Sequence, residues 1–153
     1  MNKTLCTLAL LSVLCLAVSY KVKADTSAYS DEYSQILTTT TDLVAQYGIR
    51  PPYTGQQFNE GDILTQEQAD NVLPYIFACE SQGRNVSEID SNHRWSRGVA
   101  QYQDITWRER QEQSGIQGKP TQAIPAIQMS LWSLENGYIS QWSCSYLEHI
   151  IKP

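Results

Sequence analysis

The stretch "TQEQADNVLPYIFACESQG", residues 65–83, decides what the rest of the chain must be built around. Its apolar residues fall at Ala69, Val72, Leu73, Ile76 and Phe77, in alternating steps of three and one. That spacing is the buried face of a helix, and it predicts one over residues 66–81. Thr65 and Gln68 stand three apart, as in a capping box, and Gly83 can supply the left-handed residue that ends the helix. The next member of the apolar series is position 80, and Glu80 occupies it. Burial disfavours its charged form, the negative end of the helix dipole does the same, and no base lies one turn before it. All three raise its pKa, which is how a glutamic acid stays protonated near neutral pH and serves as a general acid. The competing expectation is a Glu turned to solvent at a fraying helix end.

Working outward, residues 25–65 form an acidic N-terminal segment. A modest helix is expected over 31–47, weakened by the β-branched run "TTTT" at 38–41. The prolines and glycines of "YGIRPPYTGQQFNEGD" (47–62) then make a loop or linker. Beyond Gly83, residues 84–104 are polar and turn-rich, which points to a loop or short hairpin. "DITWRERQEQSG" (104–115) predicts a short helix from about Thr106 to Gly115, and "GIQGKP" (115–120) is a turn. A last long helix starts near Ala123 or Pro125, with Ile127, Leu131, Leu134 and Tyr138 as its buried stripe. Asn136 and Gly137 weaken it before "SQWSCSYLEHI" (140–150). The organisation is mostly α, with one insert directly after Glu80 and no internal repeat.

Residues 1–24 look like an export leader: Lys3, the apolar run "LCTLALLSVLCLAV", and "VKA" ending at Ala24. The run is short of the ~20 residues a spanning helix needs, so cleavage is expected rather than stable membrane insertion. Removing it takes away Lys3, Lys21 and Lys23 and no acid, moving the net charge from −5 to −8. Such a balance makes nucleic acid a poor partner, although five bases cluster between Arg84 and Arg110. Of the four cysteines, Cys79 and Cys144 remain in the mature chain. In an exported protein two such cysteines pair, closing a loop of about 65 residues worth roughly 4 kcal/mol on the chain-entropy account. His93 and His149 are isolated, and "DSN" at 90–92 lacks the glycine and distal glutamate of a calcium loop. No metal site and no cofactor are expected.

Three segments in order, "CESQG" (79–83), "SRGVAQYQDITW" (96–107) and "GYISQWSC" (137–144), carry a resemblance. Over about residues 70–146 the chain resembles the lysozyme-like superfamily, in particular its small lytic transglycosylase and resuscitation-promoting-factor-like domains. In those relatives a Glu-Ser pair ends a buried helix, a loop leads to a Gly-x-x-Gln segment, and a Thr-Trp follows. Here these are Glu80, Ser81, Gly98, Gln101, Thr106 and Trp107. The pairing of Cys79 with Cys144, after Trp142, is also a habit of that family. The resemblance implies a lysozyme-like single domain over 66–153. It implies cleavage of the β-1,4 bond between N-acetylmuramic acid and N-acetylglucosamine in peptidoglycan strands, with Glu80 protonating the leaving oxygen.

Most glycosidases use a second carboxylate. Transglycosylase relatives do not: the same glutamate, now a base, helps the muramic acid's own 6-hydroxyl close an anhydro-sugar. That is the first expectation here. Glu88, Asp90 and Asp104 are candidates for a second carboxylate that would make the enzyme a water-using lysozyme, and spacing does not choose among them. By the same transfer Ser81 lies near the acid or the sugar, and Gln101 reaches substrate or loop backbone. Tyr102, Trp107 and Tyr138 could stack on sugar faces, Trp107 being the readiest to belong to the core. Trp95, in a polar loop, is the aromatic expected to be exposed for binding. Gln82 departs from the relatives, which carry a second glycine there. Arg94 and Arg97, if they face the cleft, would meet carboxylates or phosphates of the wall. Two rivals stand beside the enzyme: a glycan-binding module on the same fold without turnover, and an exported accessory subunit whose Glu80 is a surface acid. Either way the expected location is secreted or extracytoplasmic, in periplasm or cell wall. A protein partner of the N-terminal segment is left unidentified.

Overall fold

The structure is a computed structural model that describes residues 30–153. The leader expected at 1–24 and the first residues of the acidic segment lie outside the described residues. Residues 35–153 form one compact unit. The chain is mostly helical with one small antiparallel sheet, as expected for its class.

Helix α1 runs through residues 30–47. The threonine run lies within it, the Thr40 and Thr41 hydroxyls donating back to the Ile36 and Leu37 carbonyls at 2.7 and 2.9 Å. Helix α2, Gln66–Ser81, has the bounds its stripe predicts. Its capping box forms: the Thr65 hydroxyl accepts the Gln68 N–H at 3.3 Å, and the Gln68 amide oxygen accepts the Thr65 N–H at 2.8 Å. The helix ends differently from expectation. Gln82, not Gly83, is the first left-handed residue (φ 57°), and Gly83 follows it at φ 69°. The Gly83 N–H then reaches the Phe77 carbonyl at 3.2 Å, satisfying an orphan acceptor of the last turn. A side chain at Gly83 would also stand 3.0 Å from Thr40 Cγ2, so α1 closes over this corner.

The insert after α2 is a three-stranded sheet in the order β1 (Ser87–Ile89), β2 (Trp95–Arg97), β3 (Tyr102–Gln103). Glu88 pairs with Ser96, Ile89 with Trp95, and Arg97 with both Ser87 and Tyr102. The β1–β2 turn is closed by the Asp90 N–H on the Arg94 carbonyl (2.9 Å) and the His93 N–H on the Asp90 carbonyl (2.8 Å). Gly98 leaves β2 at φ 77°, and a Cβ there would lie 1.8 Å from the Pro120 carbonyl oxygen. Only glycine lets the two backbones pass this closely.

Helix α3, Asp104–Ser114, starts two residues before Thr106 and stops at Gly115 (φ 75°). Helix α4, Ala123–Glu135, buries Ile127, Leu131 and Leu134. Tyr138 lies beyond it, since Asn136 and Gly137 end the helix, and is therefore not part of its stripe. A 3-10 turn (Ile139–Gln141) and the short helix α5 (Ser143–Leu147) complete the chain. Helices α2 and α4 pack together, and Leu73, Ile76, Phe77, Ile127, Met129 and Leu134 are fully buried. Each such side chain contributes about 1.5–3 kcal/mol of transfer free energy.

The boundary drawn at 65/66 falls inside this unit. Phe58 bridges Ile151, donating its N–H to the Ile150 carbonyl and accepting the Lys152 N–H, each at 2.9 Å. The Leu64 N–H reaches the Leu134 carbonyl at 3.2 Å. Residues 48–65 are thus fastened to the C-terminus and to the end of α4. Cys79 and Cys144 are bridged, Cα to Cα 5.8 Å, joining the last turn of α2 to α5. Among the described residues, no helix is long and apolar enough to cross a membrane.

Candidate active site

A cleft of about 420 Å³ opens where the end of α2, the β1–β2 turn, β3 and the segment before α5 meet. Glu80 reaches it from the last turn of α2. The side chain is half-buried, and burial is the main cause that raises its pKa from 4.5 to about 7. The Cys144 backbone N–H donates to Glu80 Oε1 at 3.2 Å, and the Ser143 hydroxyl also bonds to it; both act in the opposite direction. The Asp90 charge reinforces the rise. A carboxyl in this setting exchanges its proton near neutral pH while facing an open cleft.

Asp90 is the second acid of the cleft. Its Oδ2 accepts the Ser96 hydroxyl at 2.5 Å and the Gln103 amide N–H at 2.8 Å, so two donors fix its position in the wall. Glu88 is exposed on β1 and is not part of the wall. Asp104 is exposed at the start of α3, where its Oδ1 pairs with Arg97 Nε at 3.0 Å. Of the three carboxylates that spacing left equal, only Asp90 joins Glu80. Among the described residues, the wall contains no lysine or arginine. Arg97 is committed to Asp104 and to the face of Trp95, 5.2 Å from that ring's centre. Arg94 is exposed and outside the cleft, so the basic lining considered for these residues is not what the wall presents.

The other expected site residues divide. Gln101 and Tyr102 line the cleft with Glu80. Gln101 has its amide turned onto loop backbone, donating to the Gly98 carbonyl at 2.7 Å and the Val86 carbonyl at 3.3 Å. Its own φ is 50°, so this side chain holds the turn it sits in. Tyr102 is 2% exposed, and burial pushes its phenol up to about 12. Its hydroxyl pairs with Ser133 Oγ (3.2 Å) and accepts from Ser130 (3.4 Å) and Gln141 (3.3 Å). Ser81 is buried away from the cleft; its hydroxyl meets the Val99 carbonyl at 2.7 Å and the Phe77 carbonyl at 3.2 Å, tying α2 to the Gly98–Gln101 turn. Trp107 is core, with its indole N–H on the Gly118 carbonyl at 3.2 Å. Trp95 is exposed on β2 but outside the cleft wall, opposite exposed Ile89. Tyr138 stacks on Trp132 and carries the Arg110 guanidinium 3.6 Å above its ring, also outside the wall.

Sequence reasoning did not single out Ser91, Asn92, Ser96, Gln103, Gln141 and Ser143 as site residues, yet all line the cleft. One signal was present for Gln141 and Ser143: once Cys144 is bridged to Cys79, the residues just before it must stand beside Glu80. Among the described residues no group of three or more His, Cys, Asp or Glu is placed to hold a metal ion. Comparison of the chain with protein-family models, curated proteins and solved structures finds no match.

Proposed function

We propose that the protein is an exported glycosidase that cuts the β-1,4 bond between N-acetylmuramic acid and N-acetylglucosamine in peptidoglycan. One observation carries this: a half-buried glutamic acid, with pKa raised to about 7, stands in the last turn of a core helix and faces an open cleft whose wall, among the described residues, has no base. Glu80 gives its proton to the bridging oxygen, the C1–O bond breaks, and positive charge develops at C1 and the ring oxygen. In the single-acid route the 6-hydroxyl of the same muramic acid adds to C1. Its proton returns to the Glu80 carboxylate, and a 1,6-anhydro end results.

Asp90 favours a second outcome of the same cleavage. It shares the cleft with Glu80 and is fixed by Ser96 and Gln103 through one oxygen. A second carboxylate can stabilise the developing cation or activate water, giving a reducing end instead. The disulfide, which belongs to oxidising compartments, supports export. Digestion of whole sacculi by the mature protein, read by mass spectrometry, tests the proposal. Anhydro-muropeptides identify the first route and hydrolysed muropeptides the second. Sacculi left intact at every pH from 4 to 9 refute both.

A further inference from the structure

Gln141 stands at the end of the 3-10 turn, in the cleft wall, two residues before the Ser143 and three before the Cys144 that bond to Glu80. Its amide has one possible orientation. Arg110 carries only donors, and Arg110 Nε gives its hydrogen to Gln141 Oε1 at 3.3 Å. The amide nitrogen must therefore point the other way, where one of its hydrogens goes to the Tyr102 hydroxyl at 3.3 Å. Tyr102 in turn is locked by Ser130 and Ser133 and sits edge-on to Trp107 and Trp142. Arg110 is clamped over Tyr138 and bonded to Gln113 at 3.0 Å. Both neighbours of the amide are thus anchored, and among the described residues the nitrogen's second hydrogen meets no acceptor.

The charge of the cleft narrows what that hydrogen can meet. Arg110, which bonds Gln141 from outside the wall, is spent on Gln141 Oε1, Gln113 and the Tyr138 ring, so an incoming ligand meets the two cleft carboxyls, Glu80 and the charged Asp90. A carboxylate ligand is disfavoured beside them. A neutral carbonyl oxygen is not. We propose that Gln141 is a specificity residue that donates its remaining amide hydrogen to the acetamido carbonyl of a hexosamine seated beside Glu80, so that the cleft selects N-acetylated sugars by their neutral amide. This rests on the glycosidase proposal for the ligand class and adds the residue that reads it. A preoriented donor costs little to order, and a site built to bond a polar group rejects the analogue that lacks it.

Affinity in an uncleaving background tests it without depending on turnover. In the full mature chain carrying Glu80→Gln, binding of the β-1,4 hexamer of N-acetylglucosamine and of cellohexaose, the same backbone with a hydroxyl in place of each acetamido group, is measured by titration calorimetry. The acetylated hexamer is expected to bind more tightly. Adding Gln141→Leu is expected to weaken that hexamer about tenfold, the range of one net hydrogen bond, and to leave cellohexaose unchanged. Gln141→Glu keeps an acceptor for Arg110, removes the N–H, and is expected to show the same selective loss if the leucine variant folds poorly. Equal weakening of both sugars in both variants, an unchanged ratio, or no preference for the acetylated hexamer in the parent would overturn the proposal. Sacculus digestion reads the other claim separately. Selective binding without cleavage leaves Gln141 standing and removes the enzyme, whereas cleavage with an unaltered acetyl preference in the Gln141 variants does the reverse.

Discussion

Replacing Glu80 by Gln is expected to make the protein inert and, above neutral pH, more stable. The folded chain holds the Glu80 proton up to about pH 7, whereas an exposed glutamate releases it near 4.5. A group whose folded pKa is raised costs nothing below its unfolded value and destabilises increasingly as pH climbs toward the folded one. Between pH 4 and pH 8 that linkage amounts to about 3 kcal/mol. The carboxyl borders an open cleft, where water screens it, so the figure is a ceiling. Glu80→Gln keeps an oxygen for the Cys144 N–H and has nothing to ionise. Its stability should match the parent at pH 4 and exceed it at pH 8, by up to about 3 kcal/mol. For a domain of this size, that is a gain on the order of 5–10 °C in Tm. Urea unfolding of both proteins at half-unit intervals from pH 4 to pH 9 measures the difference directly. Parallel curves, with the variant never gaining on the parent above pH 6, would refute the claim that the fold holds this proton. Cleavage of sacculi should fall at least about a hundredfold, the range for loss of a positioned acid.

Asp90→Asn removes the charge that helps hold Glu80 protonated. The high-pH limb of kcat/KM should therefore move to lower pH, and a profile that stays in place counts against electrostatic pairing of the two acids. If Asp90 also serves the water route, the same variant loses reducing-end products while a single-acid enzyme keeps its anhydro products. Gly98→Ala puts a methyl group against the Pro120 carbonyl at a left-handed φ. It should lower stability by at least about 2 kcal/mol in chemical denaturation, and a neutral result would mean the two segments separate freely. Glu148 is 5% exposed, its Oε1 is buried without a partner, and burial raises its pKa while Arg50 and His149 act in the opposite direction. Glu148→Gln should raise Tm at pH 8, with the gain shrinking toward pH 4; a loss at pH 8 would show that the charge is needed.

The two core helices were legible because each exposes its period over many turns. The α2 stripe and capping box gave both ends within a residue, and Glu80 stood out because it broke an apolar series. The sheet was not legible in detail. Strands of two or three residues cannot display alternation, and β1 is exposed along its whole length. Helix α3 buries only Trp107, so no stripe marked its start at Asp104. Choosing among Glu88, Asp90 and Asp104 needed the register of the hairpin, which places Glu88 opposite Ser96 and turns Asp90 toward Gln103. Ser81 and Gln101 were expected at the acid or the sugar through the resemblance, with loop backbone as the other expected partner of Gln101. In the fold the Ser81 hydroxyl and the Gln101 amide nitrogen are spent on backbone carbonyls. Gln141 and Ser143 carry no pattern of their own, and only the disulfide next to them says where they stand.

The Cys79–Cys144 bridge has a further effect on when the acid acquires its surroundings. With the thiols oxidised, the residue preceding Glu80 is covalently joined to the residue whose amide holds its oxygen. With the thiols reduced, only noncovalent contacts would hold the same two neighbours together across a separation of 65 positions along the chain. The surroundings of Glu80 are thus completed by the oxidation of Cys79 and Cys144, and a chain with these thiols reduced lacks the covalent tie beside it.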